Sequence, residues 1–179
     1  MTMTCRFQVF VLFLLTVASV GAQPYYTRED DSQGLSDYAQ FKASLRGMVE
    51  LIDRKMGFAG DIEVRVRHLI SVESGESVKG VTLFIPAGEN DPLILLRTID
   101  ADELPAVLEA LAMFADKIET SKPEPDMRAY YVTRGEIGIG VKYYGKWKGI
   151  ITTDGITRTF GTRTFSKLKA KLEAAAQYL

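Results

Sequence analysis

Hydrophobic positions change period several times along the chain, and each change predicts a different element. Phe7 to Val20 is an unbroken apolar run without charge. A polar, aperiodic stretch follows from Gln23 to Leu35, which predicts a flexible leader. Tyr38, Phe41, Leu45, Met48, Val49, Ile52 and Met56 then recur at three- and four-residue spacing. That period predicts one amphipathic helix, opened by an N-cap at Ser36 and closed by Gly57 as a left-handed C-terminal cap. From Asp61 the period becomes two. Ile62, Val64, Val66, His68 and Ile70 alternate with Glu63, Arg65, Arg67 and Leu69, the pattern of a half-buried strand. The segment 73–77 turns the chain into a second strand, Val78 to Ile85, and the segment 86–92 turns it into a third, Leu93 to Ile99. Such short turns join antiparallel neighbours.

A helical period returns at Leu104, Val107, Leu108, Leu111, Phe114, Ala115 and Ile118. Asp100 is placed to cap this helix with Glu103 at the capping-box position, and Pro105 falls in the first turn, where a missing N–H costs little. Beyond the break at Lys122-Pro123-Glu124-Pro125-Asp126 come four strand candidates: Arg128–Thr133, Glu136–Tyr144, Trp147–Thr153 and Ile156–Phe160. Asp154-Gly155 is a two-residue hairpin signal, because a type I′ turn needs positive φ at both positions. Thr162 or Thr164 opens a final helix with Phe165, Leu168, Leu172, Ala176 and Leu179 on one face.

The fold class that follows is α+β. Antiparallel sheet comes from two strand-meander-plus-helix units, preceded by one amphipathic helix, with helices on one sheet face. The units, 61–121 and 128–179, suggest a weak duplication. Arg97-Thr98-Ile99 aligns with Arg158-Thr159-Phe160 at a spacing of 61, and the same shift carries Leu104 onto Phe165 and Leu111 onto Leu172. This order of elements resembles the Whirly type of single-strand-binding fold, a likeness of architecture that implies no activity by itself.

The chain start gives the apolar run its meaning. Met1 to Arg6 carries only positive charge, and Val20-Gly21-Ala22 offers small residues where a signal peptidase reads. The run is too short to span a bilayer, which takes roughly 20 apolar residues. A cleaved secretory signal over 1–22 is therefore expected, with cleavage after Ala22 and delivery to a periplasm or the extracellular medium. Cys5, the sole cysteine, would leave with it, so the remaining 157 residues hold no disulfide or thiol nucleophile. That length suits one domain over 36–179.

Most candidate chemistry has a structural explanation. His68 is the only histidine and shares a face with Val64, Val66 and Ile70, which favours a core role; a hydrolase using His68 is the second alternative function. The acidic groups Asp100, Asp102, Glu103 and Glu89-Asn90-Asp91 lack calcium-loop spacing, and capping explains the first. Gly138 and Gly140 alternate inside a strand rather than at a strand-to-helix turn, so no nucleotide fingerprint is present; they mark a close approach, with a packed helix favoured over a ligand. No metal or cofactor is implied.

Charge is the non-random feature. Residues 61–126 hold 14 acidic and 6 basic side chains, whereas 128–179 hold 10 basic and 3 acidic, although the whole chain has a net charge of only −1. Lys142, Tyr144, Lys146, Trp147, Lys148, Arg158 and Arg163 form the candidate ligand-binding set. The leading expectation is a non-enzymatic exported domain that binds an unknown protein or ligand through a sheet face or edge. The alternative is a binder of anionic polymer or a membrane surface through this basic, aromatic-rich segment. Export makes nucleic acid the least expected partner.

Overall fold

A computed structural model describes residues 26–29, 36–87, 93–153 and 155–179. The expected signal segment, most of the leader, and the acidic loop Glu89-Asn90-Asp91 lie outside the described residues. The element order is β1 (Tyr26–Glu29), α1 (Asp37–Ser44), β2 (Val49–Ala59), β3 (Ile62–Ser71), β4 (Ser77–Pro86), β5 (Leu93–Asp100), α2 (Leu104–Thr120), β6 (Arg128–Val132), β7 (Gly138–Tyr143), β8 (Trp147–Thr153), β9 (Ile156–Phe160) and α3 (Thr162–Ala176). The fold is α+β, as the alternating patterns predict.

Two sheets carry it. The first runs β1-β5-β4-β3-β2 and the second β6-β7-β8-β9. All neighbours are antiparallel except β1, which joins β5 in parallel. Each unit is thus a four-stranded meander closed by a helix: β2 to β5 with α2, then β6 to β9 with α3. Strand alternation sends Ile62, Val64 and Val66 of β3, Val81 and Leu83 of β4, and Leu95 and Ile99 of β5 to one face. They meet Ile137, Ile139, Val141 and Ile151 of the second unit, together with Leu104, Val107 and Leu111 of α2 and Phe165, Leu168 and Leu172 of α3, in one continuous core. Buried Arg97 ties the units further, donating from Nε to Thr153 Oγ1 at 2.7 Å.

Several expectations are corrected. The long first helix ends at Ser44, and residues from Val49 form β2 instead. Gly47 (φ +71°) stops helical propagation, and β2 gains a full antiparallel ladder with β3 that a surface helix would forgo. Gly57 (φ +106°) sits at a bulge in β2, not at a helix end. Asp100 caps α1 rather than α2: its carboxylate accepts from Ser36 Oγ (2.8 Å), Asp37 N (2.8 Å) and Tyr38 N (3.0 Å). Helix α2 begins after Glu103, whose side chain makes no capping bond. The leader contributes a strand, β1, and Ala175 rather than Ala176 faces the core on α3.

Helices do not keep to one face of the first sheet. Helix α1 lies opposite the core, where buried Tyr38 covers Gly80; an added Cβ there would stand 3.3 Å from the Tyr38 ring. Among the described residues, α2 packs against β6 and β7 and α3 against β8 on the core side of the second sheet.

Candidate functional site

The face of the second sheet turned away from the core, exposed at Arg128 and Tyr130 but burying Ile150, is the place where the basic segment becomes geometry. Val141 and Ile151 point into the core, so the residues alternating with them point outward. Register then sets Arg128 opposite Lys142 and Lys142 opposite Lys148, one cation on each of three adjacent strands. At about 4.8 Å between strands the row spans roughly 10 Å. Like charges directly opposite one another in a sheet destabilise it by a few tenths to about 1 kcal/mol per pair. No carboxylate offsets this: among the described residues, the ion pairs of the second half belong to Arg134, Arg158 and Lys169.

The next row outward is Tyr130, Gly140, Ile150 and Thr159. Tyr130 is half exposed, at 52%. Strand β6 explains the two glycines: a Cβ at Gly138 would stand 3.3 Å from Tyr130 Cδ2 of the ring, and one at Gly140 would stand 2.1 Å from the Ala129 carbonyl and 2.6 Å from Tyr130 Cβ. The close approach expected from Gly138 and Gly140 is therefore the neighbouring strand β6 and its tyrosine, not a packed helix.

At its other end the cationic row meets α3. Beyond the Gly149–Phe160 pair, the position opposite Lys148 falls to Gly161, the N-cap of α3. Gly161 offers no capping side chain, and the first turn contains no acid but does contain Arg163. A helix N-terminus carries partial positive charge, and a cation there is unfavourable unless an anion is nearby. A cavity of about 350 Å3 opens beside this terminus, lined by Lys146, Trp147, Lys148, Thr159, Phe160 and Gly161 with Thr162.

The predicted residues thus fall into distinct groups. Lys142 and Lys148 share the outer face, Lys146 and Lys148 line the cavity, and Tyr144 is 73% exposed in the β7–β8 turn beside them. Trp147 lines the cavity but lies on the core-facing side of β8, edge-on to Tyr143 with ring centroids 5.5 Å apart. Arg163 stands in the first turn of α3. Arg158 does not join the row: it aligns with core-facing Ile151 and pairs with Asp61 at 2.6 Å. Arg128 and Tyr130 complete the face and were not in the predicted set. Fourteen residues separate Arg128 from Lys142, and only the β6–β7 register makes them adjacent.

The acidic candidates resolve into a staple around Arg134. Oxygens of Asp37, Asp100 and Asp102 lie within 4.8 Å of one another, but the Arg134 guanidinium pairs with all three and fills the cation's place. Glu103 accepts from the Arg134 backbone N–H at 2.9 Å; burial pushes its carboxyl above the ordinary range, against the pull of Arg134. Burial likewise pushes the Tyr38 hydroxyl up to about 12. His68 lies on β3 opposite Ile52 and Lys79, and its buried Nε2 has no hydrogen-bond partner. A catalytic histidine needs a nucleophile and an orienting partner on its two nitrogens; this arrangement lends the hydrolase reading no support.

No family model matches the chain, and no curated protein or solved structure matches it. The likeness to Whirly-type folds stays one of element order, and the site stands on its own chemistry.

Proposed function

We propose that the chain is an exported, non-enzymatic binding domain whose ligand is an anionic polymer of the acidic-polysaccharide class. The observation that carries this reading is the row Arg128, Lys142 and Lys148 on the sheet face turned away from the core, without carboxylate partners among the described residues. Such a row costs stability in isolation and is relieved when an anionic chain lies across it. Tyr130 adds a flat, partly exposed platform beside the row, and the uncapped start of α3 with Lys146 supplies a terminal anchor for one anionic group. Since the chain is close to neutral overall, attraction must be local to this face.

The test is titration with dextran sulfate, with neutral dextran as control. Binding should weaken linearly in log–log form with salt, at a slope of about −2 to −4 for three to five displaced counterions. Lys142→Glu and Lys148→Glu should each weaken it roughly tenfold or more. Absence of binding at low salt, or equal binding of neutral dextran, would refute the reading. Binding to anionic vesicles but not to dextran sulfate would assign the face to a membrane surface instead.

A further inference from the structure

Among the described residues, strand β2 is bonded to β3 only and forms an edge of the first sheet. Natural proteins guard such edges by short length, charge, bulges or cover; β2 carries Glu50, Asp53, Arg54 and Lys55 and a bulge, but it is long and keeps exposed apolar side chains. Eleven residues long, it leaves Val49, Leu51 and Ile52 40–48% exposed, and adjoining Met48 is 68% exposed. We propose that this edge pairs with β2 of a second copy of the chain, antiparallel, with the two-fold axis through Ile52. The inference is independent of the anion-binding reading.

Three observations fix the occupant and the register. The first is hydrogen bonding. The Met48 carbonyl accepts from Val72 N–H at 3.1 Å, and Val49 lies opposite Ser71. In an antiparallel ladder this parity turns the N–H and C=O groups of even-numbered β2 residues toward β3. Those of Val49, Leu51, Asp53 and Lys55 then point to the open edge. A two-fold at Ile52 sets Val49 against Lys55 of the second copy and Leu51 against its Asp53, each an outward-pointing pair able to exchange two bonds.

The second observation is charge. Asp53 already pairs with Arg65 and Arg67, and Lys55 with Glu63. Glu50 has no ion pair among the described residues, and Arg54 contacts only the Tyr178 ring, at 4.2 Å. The Ile52-centred register sets Glu50 of each copy directly opposite Arg54 of the other. A register centred on Asp53 would instead face Asp53 with itself and Ile52 with Arg54, and one centred on Leu51 would face Glu50 with Ile52. Side chains along this face read Met48, Glu50, Ile52, Arg54 and Met56, complementary to the same series reversed.

The third observation is length. Gly47 at φ +71° and the bulge between Lys55 and Gly57 bound a regular stretch of β2. Ile52 is the midpoint of 49–55.

The experiment is sedimentation equilibrium of the full chain with and without Glu50→Arg, Arg54→Glu and the two together. The wild type should be a concentration-dependent dimer. Each single reversal faces like charges twice across the two-fold and should raise the dimer Kd about tenfold or more, and the double exchange should restore it. In a Cys5→Ser background, Ile52→Cys should cross-link on mild oxidation, because facing Cα atoms at such a position stand about 4.5 Å apart, within disulfide range. Leu51→Cys, displaced diagonally from its copy, should not. A wild type that stays monomeric up to its solubility limit would overturn the proposal. So would a dimer indifferent to the single reversals, or cross-linking at Leu51→Cys in place of Ile52→Cys.

Discussion

Replacing Asp100 with Asn isolates what holds α1 against the first sheet. The residue is 2% exposed, and its two oxygens serve four donors: Ser36 Oγ and Tyr38 N on one, Asp37 N and an Arg134 nitrogen at 3.3 Å on the other. The amide keeps one acceptor and turns an N–H2 group toward whichever donor pair it replaces. Two hydrogen bonds are lost, each worth about 1 kcal/mol net, and a buried donor is left facing another at a further 1–3 kcal/mol. Loss of the charge offsets part of this, because Asp37, Asp102 and Glu103 crowd the same guanidinium. The expected net destabilisation is about 2–3 kcal/mol, read as a lower urea midpoint with unchanged m-value. Ser36→Ala, which removes one of these donors together with the N-cap bond that Ser36 Oγ accepts from Ala39 N–H, should cost about 1–2 kcal/mol. The two losses should be non-additive, since they share one bond. An Asp100→Asn midpoint within about 0.5 kcal/mol of wild type would refute this account of α1 docking.

Other outcomes follow from the same packing. Gly140→Ala would put a methyl 2.1 Å from a backbone carbonyl of β6, so β6 must move; the loss should be about 2 kcal/mol or more by thermal unfolding, whereas exposed Gly145→Ala tests only the cost of positive φ. Burial opposes ionisation of Glu63, but bonds from Lys55 and Arg65 outweigh it and hold the carboxyl below its ordinary range. Its folded value being lower, Glu63 contributes stability above the ordinary glutamate pKa that is lost as pH falls through the folded value; Glu63→Gln should flatten the acid limb of a stability–pH curve. Arg158→Ala should leave dextran sulfate affinity within about twofold while removing the contact with Asp61. An Arg158→Ala variant that loses affinity as far as Lys148→Glu does would remove the distinction drawn between them.

Strand periodicity carried well from sequence to structure wherever one face was buried. Strands β3, β8 and β9 and helices α2 and α3 fall where alternation and helical stripes predict them, because burial of one face leaves a regular record. Strand β2 failed for the same reason in reverse. Apart from the contact of Arg54 with Tyr178, its residues 49–55 are exposed, so Met48, Val49 and Ile52 follow no strand alternation and happen to continue the stripe of α1. Misreading it hid the fourth strand of the first meander, so the likeness of the two units was read as three strands against four. The charge asymmetry was legible, but adjacency was not. Lys142 and Lys148 meet through a hairpin, Arg128 joins through β6 register, and Arg158 leaves by alternation. Asp100, which looked metal-binding by type, is placed by burial and capping, whereas His68 stands half-buried on β3 outside the core cluster where its face had predicted a core role.

The central claim is that the open face of the second sheet receives an anionic chain, and amide chemical-shift mapping tests it most directly. With dextran sulfate at low salt, the largest changes should fall on Arg128, Tyr130, Lys142, Lys148 and the Gly161–Arg163 turn, fading together as salt rises. Changes centred on β2, on α1 or on the Arg134 cluster, with the β6–β8 row unmoved, would contradict it.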